Sequence, residues 1–229
     1  MTPLVIAHRG ASIAFPENTV EAFAAARRMG ADMVELDVRR TTDGLLAVHH
    51  DARLGDGRLL MDTAAGALPA HVPLLDAAIA ACEGMTVNVE VKNFPGDPDF
   101  EESELVATRV AELVSAAGLQ DRVLVSSFNL HAIDHVRGID PAIPTAWLVS
   151  PPIDSREVLD RLEGHGHRVL HPHDVAVTGA LVAAAHERDV AVNTWTVDDP
   201  ARMVALAAMG IDGICTNVPD IARDVLDRA

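Results

Sequence analysis

Charged side chains stand two residues apart on two apolar segments of the chain. Glu35 and Asp37 lie on one of them, and Glu90 and Lys92 lie at the end of the next. Residues two apart on a strand point to the same face, so both pairs present their charges together. If the strands are neighbours, three carboxylates and one ammonium group meet in one place. Carboxylate oxygens are the ligands that hard cations such as Mg²⁺ and Ca²⁺ prefer. The spacing therefore predicts one divalent cation held by Glu35, Asp37 and Glu90.

A salt-bridge network is the alternative interpretation of the same residues. In that case Arg9 and Lys92 would neutralise Glu35, Asp37 and Glu90 without a metal. Three like charges in a poorly solvated place are costly unless a cation is present. Strand interiors rarely carry this much charge, which favours the metal site over the network.

Two histidines flank the predicted carboxylate cluster. His8 ends the first apolar run of the chain, and His50 follows the second. Imidazole takes and gives protons near neutral pH, so His8 and His50 are the candidates for general acid and base. Arg9 comes directly after His8, and its guanidinium is suited to binding a phosphate.

Three further histidines are close to these positions. His49 is adjacent to His50 and is expected to point the opposite way, so we interpret it as structural. His171 and His173 follow a later strand, where they either extend the pocket or form a simple pair in a loop. The cysteines Cys82 and Cys215 are too few for a disulfide framework and are predicted to be buried apolar residues in a reducing compartment.

Strands and helices alternate along the whole chain. Short apolar runs predict buried parallel strands, and segments with helical periodicity lie between them. The predicted strands are residues 3–7, 33–38, 86–91, 123–127, 145–149, 168–171, 190–196 and 213–216, and segment 45–48 extends or pairs with the second. Helices are predicted from residue 18 to 30 and over residues 74–82, 103–117, 129–136, 156–164, 179–188, 200–209 and 219–227.

This alternation predicts an α/β protein with a parallel sheet and helices outside it. Eight units in 229 residues give about 29 residues each, close to one βα repeat of a barrel. We therefore predict a single (β/α)8 TIM barrel domain over residues 1–229, with a short insertion after the second strand at about residues 51–73. A doubly wound open sheet is the alternative, but no G-x-G-x-x-G follows the first strand.

Composition narrows the classes of partner. The chain carries 34 acidic and 18 basic residues, a formal net charge of −16. Such a chain repels polyanions, so nucleic acid and acidic membranes are not expected partners. No apolar run is long enough to span a bilayer and no signal peptide is evident, which predicts a cytoplasmic protein without stable membrane insertion. The pattern does not indicate an oligomeric state.

An ordered set of motifs resembles the glycerophosphodiester phosphodiesterase family. These motifs are His8-Arg9-Gly10, Pro16-Glu17-Asn18-Thr19, Glu35-Leu36-Asp37-Val38, His50-Asp51, Glu90-Val91-Lys92, Ser126-Ser127-Phe128, Trp195-Thr196-Val197 and residues 213–219. H-R-G alone would be weak, but E-x-D and E-x-K on successive strands make the set specific. The resemblance covers the whole chain.

The resemblance implies a TIM barrel that hydrolyses small glycerophosphodiesters to glycerol 3-phosphate and an alcohol. By matching position it implies that Glu35, Asp37 and Glu90 hold the metal, and that His8 and His50 are the acid/base pair. It further implies that Arg9 and Lys92 bind the phosphate and that Trp195 packs against the glycerol. The glycerol 2-hydroxyl would attack phosphorus first, and water would open the resulting cyclic phosphate. Aromatic residues are only 3% of the chain and there is no Tyr, so composition does not favour an aromatic cage for choline.

Two other functions remain open. A phospholipase C- or D-like lyase would use the same residues on a lipid or lysolipid and stop at a cyclic phosphate, which product analysis would detect. A binding protein without activity would keep a metal site but has no need of both His8 and His50. The presence of the complete set favours an enzyme.

Overall fold

A computed structural model describes residues 2–228 of the chain. Within these residues nine strands form one sheet, and eight of them are parallel neighbours in the order β1-β2-β4-β5-β6-β7-β8-β9, closed by pairing of β9 with β1. The strands are β1 (Leu4–His8), β2 (Met33–Arg40), β3 (Leu46–Val48), β4 (Thr86–Val91), β5 (Val123–Ser127), β6 (Thr145–Val149), β7 (Val169–Pro172), β8 (Ala191–Thr194) and β9 (Gly213–Thr216). The predicted TIM barrel is confirmed.

A helix lies on the chain after each barrel strand. The helices are α1 (Val20–Arg28), α2 (Leu75–Ala81), α3 (Leu105–Ala117), α4 (Leu130–Ile139), α5 (Ser155–Gly164), α6 (Gly179–His186), α7 (Pro200–Ala208) and α8 (Pro219–Leu226). Their apolar faces pack on the outer faces of the strands, where Val, Leu and Ala side chains form two large buried clusters. Among residues 2–228, no helix is both long and apolar enough to cross a membrane.

The inside of the barrel changes character along the strands. A small apolar cluster that includes Ile6, Met33 and Cys215 fills its lower part. Ile6 lies beside Met33 in the parallel register, and two residues further along His8 lies beside Glu35. The side chains that follow towards the carboxyl ends are polar, so the fold places the polar groups at the end where barrel enzymes have their sites.

Several element bounds differ from the predictions for local reasons. Segment 46–48 forms a short antiparallel partner of β2 rather than a barrel strand. Helix α1 begins at Val20 because the Thr19 side chain accepts a hydrogen bond from the Ala22 amide and caps it. Helix α3 begins at Leu105 because Glu104 adopts a left-handed conformation, with φ of 51°. Strand β8 ends at Thr194, so Trp195 lies just beyond it.

The excursion between β3 and α2 contains two short 3₁₀ helices, Leu60–Asp62 and Ala65–Ala67, and no further strand. This agrees with the predicted short insertion. Both cysteines are buried and unpaired, as expected. Cys215 lies on β9 and faces the barrel interior beside Ile6.

Candidate active site

Adjacent strands bring the predicted carboxylates to one end of the barrel. Glu35 lies beside His8 in the register of β1 and β2, and Asp37 lies beside Glu90 in the register of β2 and β4. One oxygen from each of Glu35, Asp37 and Glu90 lies within 4.8 Å of one oxygen from each of the others. All three residues are buried. The spacing of these residues in the sequence thus correctly predicted that their three carboxylates lie together.

Burial and the neighbouring charges set the pKa values of the three carboxyl groups. Burial, followed by the charges of Asp37 and Glu90, raises the pKa of Glu35 well above its usual range. Burial also raises the pKa of Glu90, although Lys92 opposes the shift. Burial acts in the same direction on Asp37, but Lys92 and Arg9 outweigh it and lower the pKa of Asp37 to about 2.

Salt bridges neutralise only part of the cluster. Nζ of Lys92 lies 2.7 Å from Oε1 of Glu90 and 3.3 Å from Oδ1 of Asp37. Nε of Arg9 lies 3.2 Å from Oδ2 of Asp37. Within residues 2–228, Glu35 has no Lys or Arg side chain within salt-bridge distance, and its nearest basic group is Nε2 of His8 at 4.0 Å. The network alternative therefore explains Asp37 and Glu90 but not Glu35.

Only one of the two carboxylate oxygens of Glu35 has a hydrogen-bond partner among the described residues. Oε2 accepts a hydrogen bond from the backbone N–H of Arg9 at 3.1 Å, whereas Oε1 is buried and has no hydrogen-bond partner among the described residues. A buried anionic oxygen without a partner is costly. Together with the mutual distances, this oxygen makes the three residues a fit for a hard divalent cation bound through carboxylates.

The turn after β1 places Arg9 in the site. Arg9 is left-handed, with φ of 57°, and Gly10 follows with φ of 84°. A Cβ on Gly10 would lie 2.7 Å from the backbone carbon of Ala22, so only glycine fits there. The Arg9 guanidinium reaches Asp37 and also donates from Nη1 to both carboxylate oxygens of Glu17, at 3.0 and 3.1 Å. Arg9 thus lies in the site with two acidic partners.

A chain of hydrogen bonds orients His8. Asp198 accepts a 2.7 Å hydrogen bond from Nδ2 of Asn217, so Oδ1 of Asn217 faces His8 and accepts from its Nδ1 at 2.7 Å. This arrangement assigns the proton to Nδ1 and leaves Nε2 as the basic nitrogen. Burial is the largest cause of the lowered pKa of His8, followed by the charge of Arg9. The neutral form of His8 is therefore favoured near pH 7.

A hydrogen bond also orients the ring of His50. Its Nδ1 lies 2.7 Å from Oδ1 of Asp51, and the acceptor carboxylate places the proton on Nδ1. Burial lowers the pKa of His50, and the charge of Asp37 opposes that shift. The neighbouring His49 directs Nδ1 to the backbone oxygen of Asp51, which agrees with a structural role.

The two later histidines have different positions. His171 is buried inside the barrel, where burial lowers its pKa to about 3, and its Nε2 accepts from Nδ2 of Asn193 at 3.1 Å. His173 instead packs edge-on against the Trp195 ring at 4.8 Å between ring centres. Trp195 is fixed by donating from Nε1 to the backbone oxygen of His171 at 2.9 Å.

Two cavities meet at these residues. A small cavity of about 90 Å³ reaches into the barrel, and its walls include His8, Glu35, His171 and Trp195. A larger one of about 640 Å³ extends away from the axis toward α5. The residues on both walls are His50, Glu90, Lys92, Phe128 and Leu148. The site can therefore hold two substituents of different size on either side of one centre.

Sequence reasoning did not predict the residues that orient the others. Asn18 donates from Nδ2 to Oδ2 of Asp37 at 2.8 Å, and Asn217 orients His8. Asn18 belongs to the motif after the first strand and Asn217 directly follows the last. Because the first and last strands of a closed barrel are neighbours, the position of Asn217 after the last strand could have indicated that it lies beside His8.

Comparison with known proteins gives consistent matches. The model of the Glycerophosphoryl diester phosphodiesterase family matches residues 8–61 and 56–221. A glycerophosphodiester phosphodiesterase of Caldanaerobacter subterraneus subsp. tengcongensis is 30% identical over 241 residues, which cover 96% of each chain. One from Bacillus altitudinis is 30% identical over 254 residues, which cover 98% of each chain.

Solved structures show the same similarity. A phosphodiesterase of Oleispira antarctica, solved in complex with the product sn-glycerol-3-phosphate, is 27% identical with a TM-score of 0.89. The match covers 99% of this chain and 97% of that one. A glycerophosphodiester phosphodiesterase from Thermotoga maritima, at 23% identity, has a TM-score of 0.84 over 98% of this chain and 99% of that one, which supports the fold.

Proposed function

The chain belongs to the glycerophosphoryl diester phosphodiesterase family, and from this premise we propose that it hydrolyses small glycerophosphodiesters to sn-glycerol 3-phosphate and an alcohol with the help of one divalent cation. It is a phosphoric diester hydrolase of the barrel type. The observation that carries the metal-dependent proposal is the carboxylate of Glu35, which is buried beside Asp37 and Glu90 with one oxygen unpartnered. A nucleic-acid partner is not part of the proposal, because the net charge is −16.

Three residues would hold the cation. Glu35, Asp37 and Glu90 supply carboxylate oxygens, which suit Mg²⁺ and Ca²⁺ alike. When bound, the cation offsets negative charge that develops on the phosphoryl oxygens. Lys92 adds a positive charge to the same place, since its Nζ already lies beside Glu90 and Asp37.

The positions of the two histidines support separate roles. Nε2 of His8 is unprotonated and borders the small cavity, so it takes the proton of the glycerol 2-hydroxyl as that oxygen attacks phosphorus. His50 borders both cavities. In its protonated form, which the charge of Asp37 and the hydrogen bond to Asp51 favour, it donates the proton on Nε2 to the departing alcohol oxygen as the P–O bond breaks. The cyclic phosphate is then opened by water. His50 takes the water proton and His8 returns its proton to the 2-oxygen, which restores both residues.

Arg9, Lys92 and Trp195 complete the proposed substrate contacts. Arg9 and Lys92 face the centre where the phosphate lies, and Trp195 forms a wall of the small cavity that receives the glycerol. Its indole is held by His171 and packs edge-on against Phe128 at 5.4 Å. A fixed ring beside a small cavity limits the group that fits there to one about the size of glycerol.

The direct test is release of glycerol 3-phosphate from glycerophosphocholine and glycerophosphoethanolamine, with EDTA and then with Mg²⁺ or Ca²⁺ added back. We expect release that EDTA abolishes and a cation restores. Glu35→Gln should lose this response, whereas Glu83→Gln, at an exposed carboxylate far from the barrel mouth, should keep it. Accumulation of a cyclic phosphate as the end product would instead favour the lyase. Activity that EDTA leaves unchanged would exclude the metal.

A further inference from the structure

The larger cavity is the place for the alcohol part of the substrate, if the proposed function holds. The small cavity ends at Trp195 inside the barrel and suits the three-carbon glycerol unit. His50 is the acid that faces the departing oxygen, and it lies on the wall that leads from the small cavity into the large one. The side chains along the large cavity therefore determine which alcohols are accepted.

Trp147 and Arg161 form the wall of this cavity nearest α5. The indole of Trp147 is fixed because its Nε1 donates to the backbone oxygen of Phe128 at 3.2 Å. The guanidinium carbon of Arg161 lies 5.3 Å from the centre of the Trp147 ring. This cation–π contact holds the guanidinium at the cavity.

Arg161 differs from the other cations of the cavity because it has no acidic partner. Arg39 is paired with Asp97 and Asp99, and Lys92 is paired with Glu90. No carboxylate oxygen within residues 2–228 lies within 4.0 Å of the Arg161 guanidinium. Among the described residues that line the cavity, Arg161 is thus the Lys or Arg side chain whose charge is available to a ligand.

The absence of a partner is notable because α5 offers one. Glu157 precedes Arg161 by four residues, the spacing of a stabilising helical ion pair, and it also lines the cavity. On the same helix Arg156 does pair with Asp160, at 3.7 Å. Arg161 lies over Trp147 instead of pairing with Glu157.

We propose that the large cavity is a subsite for an alcohol that carries its own oxyanion, a phosphate or a carboxylate, and that Arg161 binds this second charge. A guanidinium that lies over an aromatic ring keeps N–H donors free in its plane, and these match the oxygens of a phosphate or carboxylate. The same contact occupies the Trp147 face that a quaternary ammonium group would need.

Two substrates that differ by a second phosphodiester and its terminal glycerol test the subsite. Glycerophosphoglycerol has a neutral alcohol, and glycerophosphoglycerophosphoglycerol adds one further phosphodiester to it. We expect a kcat/KM at least about 10-fold higher for the doubly charged substrate, in line with a hydrogen bond to a charged group. Glycerophosphoserine, with a carboxylate, shows whether a carboxylate serves as well as a phosphate. Glycerophosphocholine, whose alcohol carries only a cation, should be cleaved with the lowest kcat/KM of the set.

Arg161→Gln should lower kcat/KM for the doubly charged substrate more than for glycerophosphoglycerol, which brings the ratio of the two values to about 1. Arg156→Gln, five residues earlier on the same helix, is the matched control and should keep the ratio. An Arg161→Gln variant with the wild-type ratio, or with both substrates reduced equally, would overturn the subsite. If the wild-type protein cleaves neither substrate, the proposed function is wrong. In that case, calorimetric measurement of the binding of these two compounds to the wild-type protein and to Arg161→Gln still decides whether Arg161 binds the second charge.

Discussion

The side chain of Arg39 donates a hydrogen bond from Nε to the backbone carbonyl oxygen of His50, with a distance of 2.8 Å. Arg39 lies on β2 and is only 4% exposed. Its other nitrogens bind Asp99 at 2.5 Å and Asp97 at 3.3 Å, both in the loop between β4 and α3. One buried guanidinium thus joins the segment that carries the proposed acid to the loop that follows Lys92.

We expect loss of this guanidinium to lower kcat, because His50 would no longer be held at its backbone. Arg39→Gln combined with Asp99→Asn removes the cation without leaving a buried unpaired carboxylate, which would otherwise be strongly destabilising. A displacement of about 1 Å can cost about 100-fold in rate, so we expect a fall in kcat of about 10- to 100-fold with little change in KM. Steady-state kinetics on glycerophosphoethanolamine measure both.

Arg40→Gln is the control for that experiment. Arg40 binds Glu101 of the same loop at 2.5 and 2.6 Å, and within residues 2–228 it forms no hydrogen bond with His50. If kcat falls as much in the Arg40 variant as in the Arg39 double variant, the rate depends on attachment of the loop between β4 and α3 and not on the hydrogen bond to His50.

Glu35→Gln is expected to stabilise the metal-free protein and to weaken cation binding. In EDTA, Glu35 is penalised by burial and by the charges of Asp37 and Glu90, and the neutral amide relieves both. An increase of about 1 kcal/mol in the free energy of unfolding corresponds to a rise in Tm of about 2–4 °C for a chain of this size. Thermal unfolding with EDTA and with Mg²⁺ or Ca²⁺ measures the two effects. A variant that is less stable in EDTA and gains the same Tm from the cation as the wild type would contradict the assignment.

Much of this architecture could be predicted because its signals are local. Buried parallel strands are apolar runs, and the spacing of two between Glu35 and Asp37 places both on one face of β2. The contacts that orient the site were not predictable in this way. Asn217 meets His8 only because the barrel closes, 209 positions apart in the chain. For Arg161, the local spacing predicts an ion pair with Glu157, and the tertiary contact with Trp147 overrides it.

His8→Ala and His50→Ala should each lower kcat, since positioned acid and base groups contribute about 10²–10⁴-fold. The separate roles predict a difference between them. With glycerol 3-phospho-p-nitrophenol the leaving group departs without a proton, so His50→Ala should recover much of the wild-type rate of p-nitrophenol release whereas His8→Ala should not. Equal recovery of both variants, or of neither, would show that the leaving-group proton does not come from His50. His49→Ala controls for disturbance of the loop, because the Nδ1 of His49 forms a hydrogen bond with the backbone oxygen of Asp51.

His171 makes the stability of the protein depend on pH below neutrality. Burial lowers its pKa from 6.5 to about 3, so the unfolded chain takes up a proton that the folded chain does not. The stabilisation is complete above pH 6.5 and is lost as the pH falls from there toward about 3, at up to about 1.4 kcal/mol per pH unit. His171→Gln keeps an acceptor for Asn193 and removes the titration. Urea unfolding between pH 7 and pH 4 should show a shallower loss for His171→Gln than for the wild type or for His173→Gln. If the free energy of unfolding falls with pH as steeply in His171→Gln as in the wild type, other groups control the acid sensitivity.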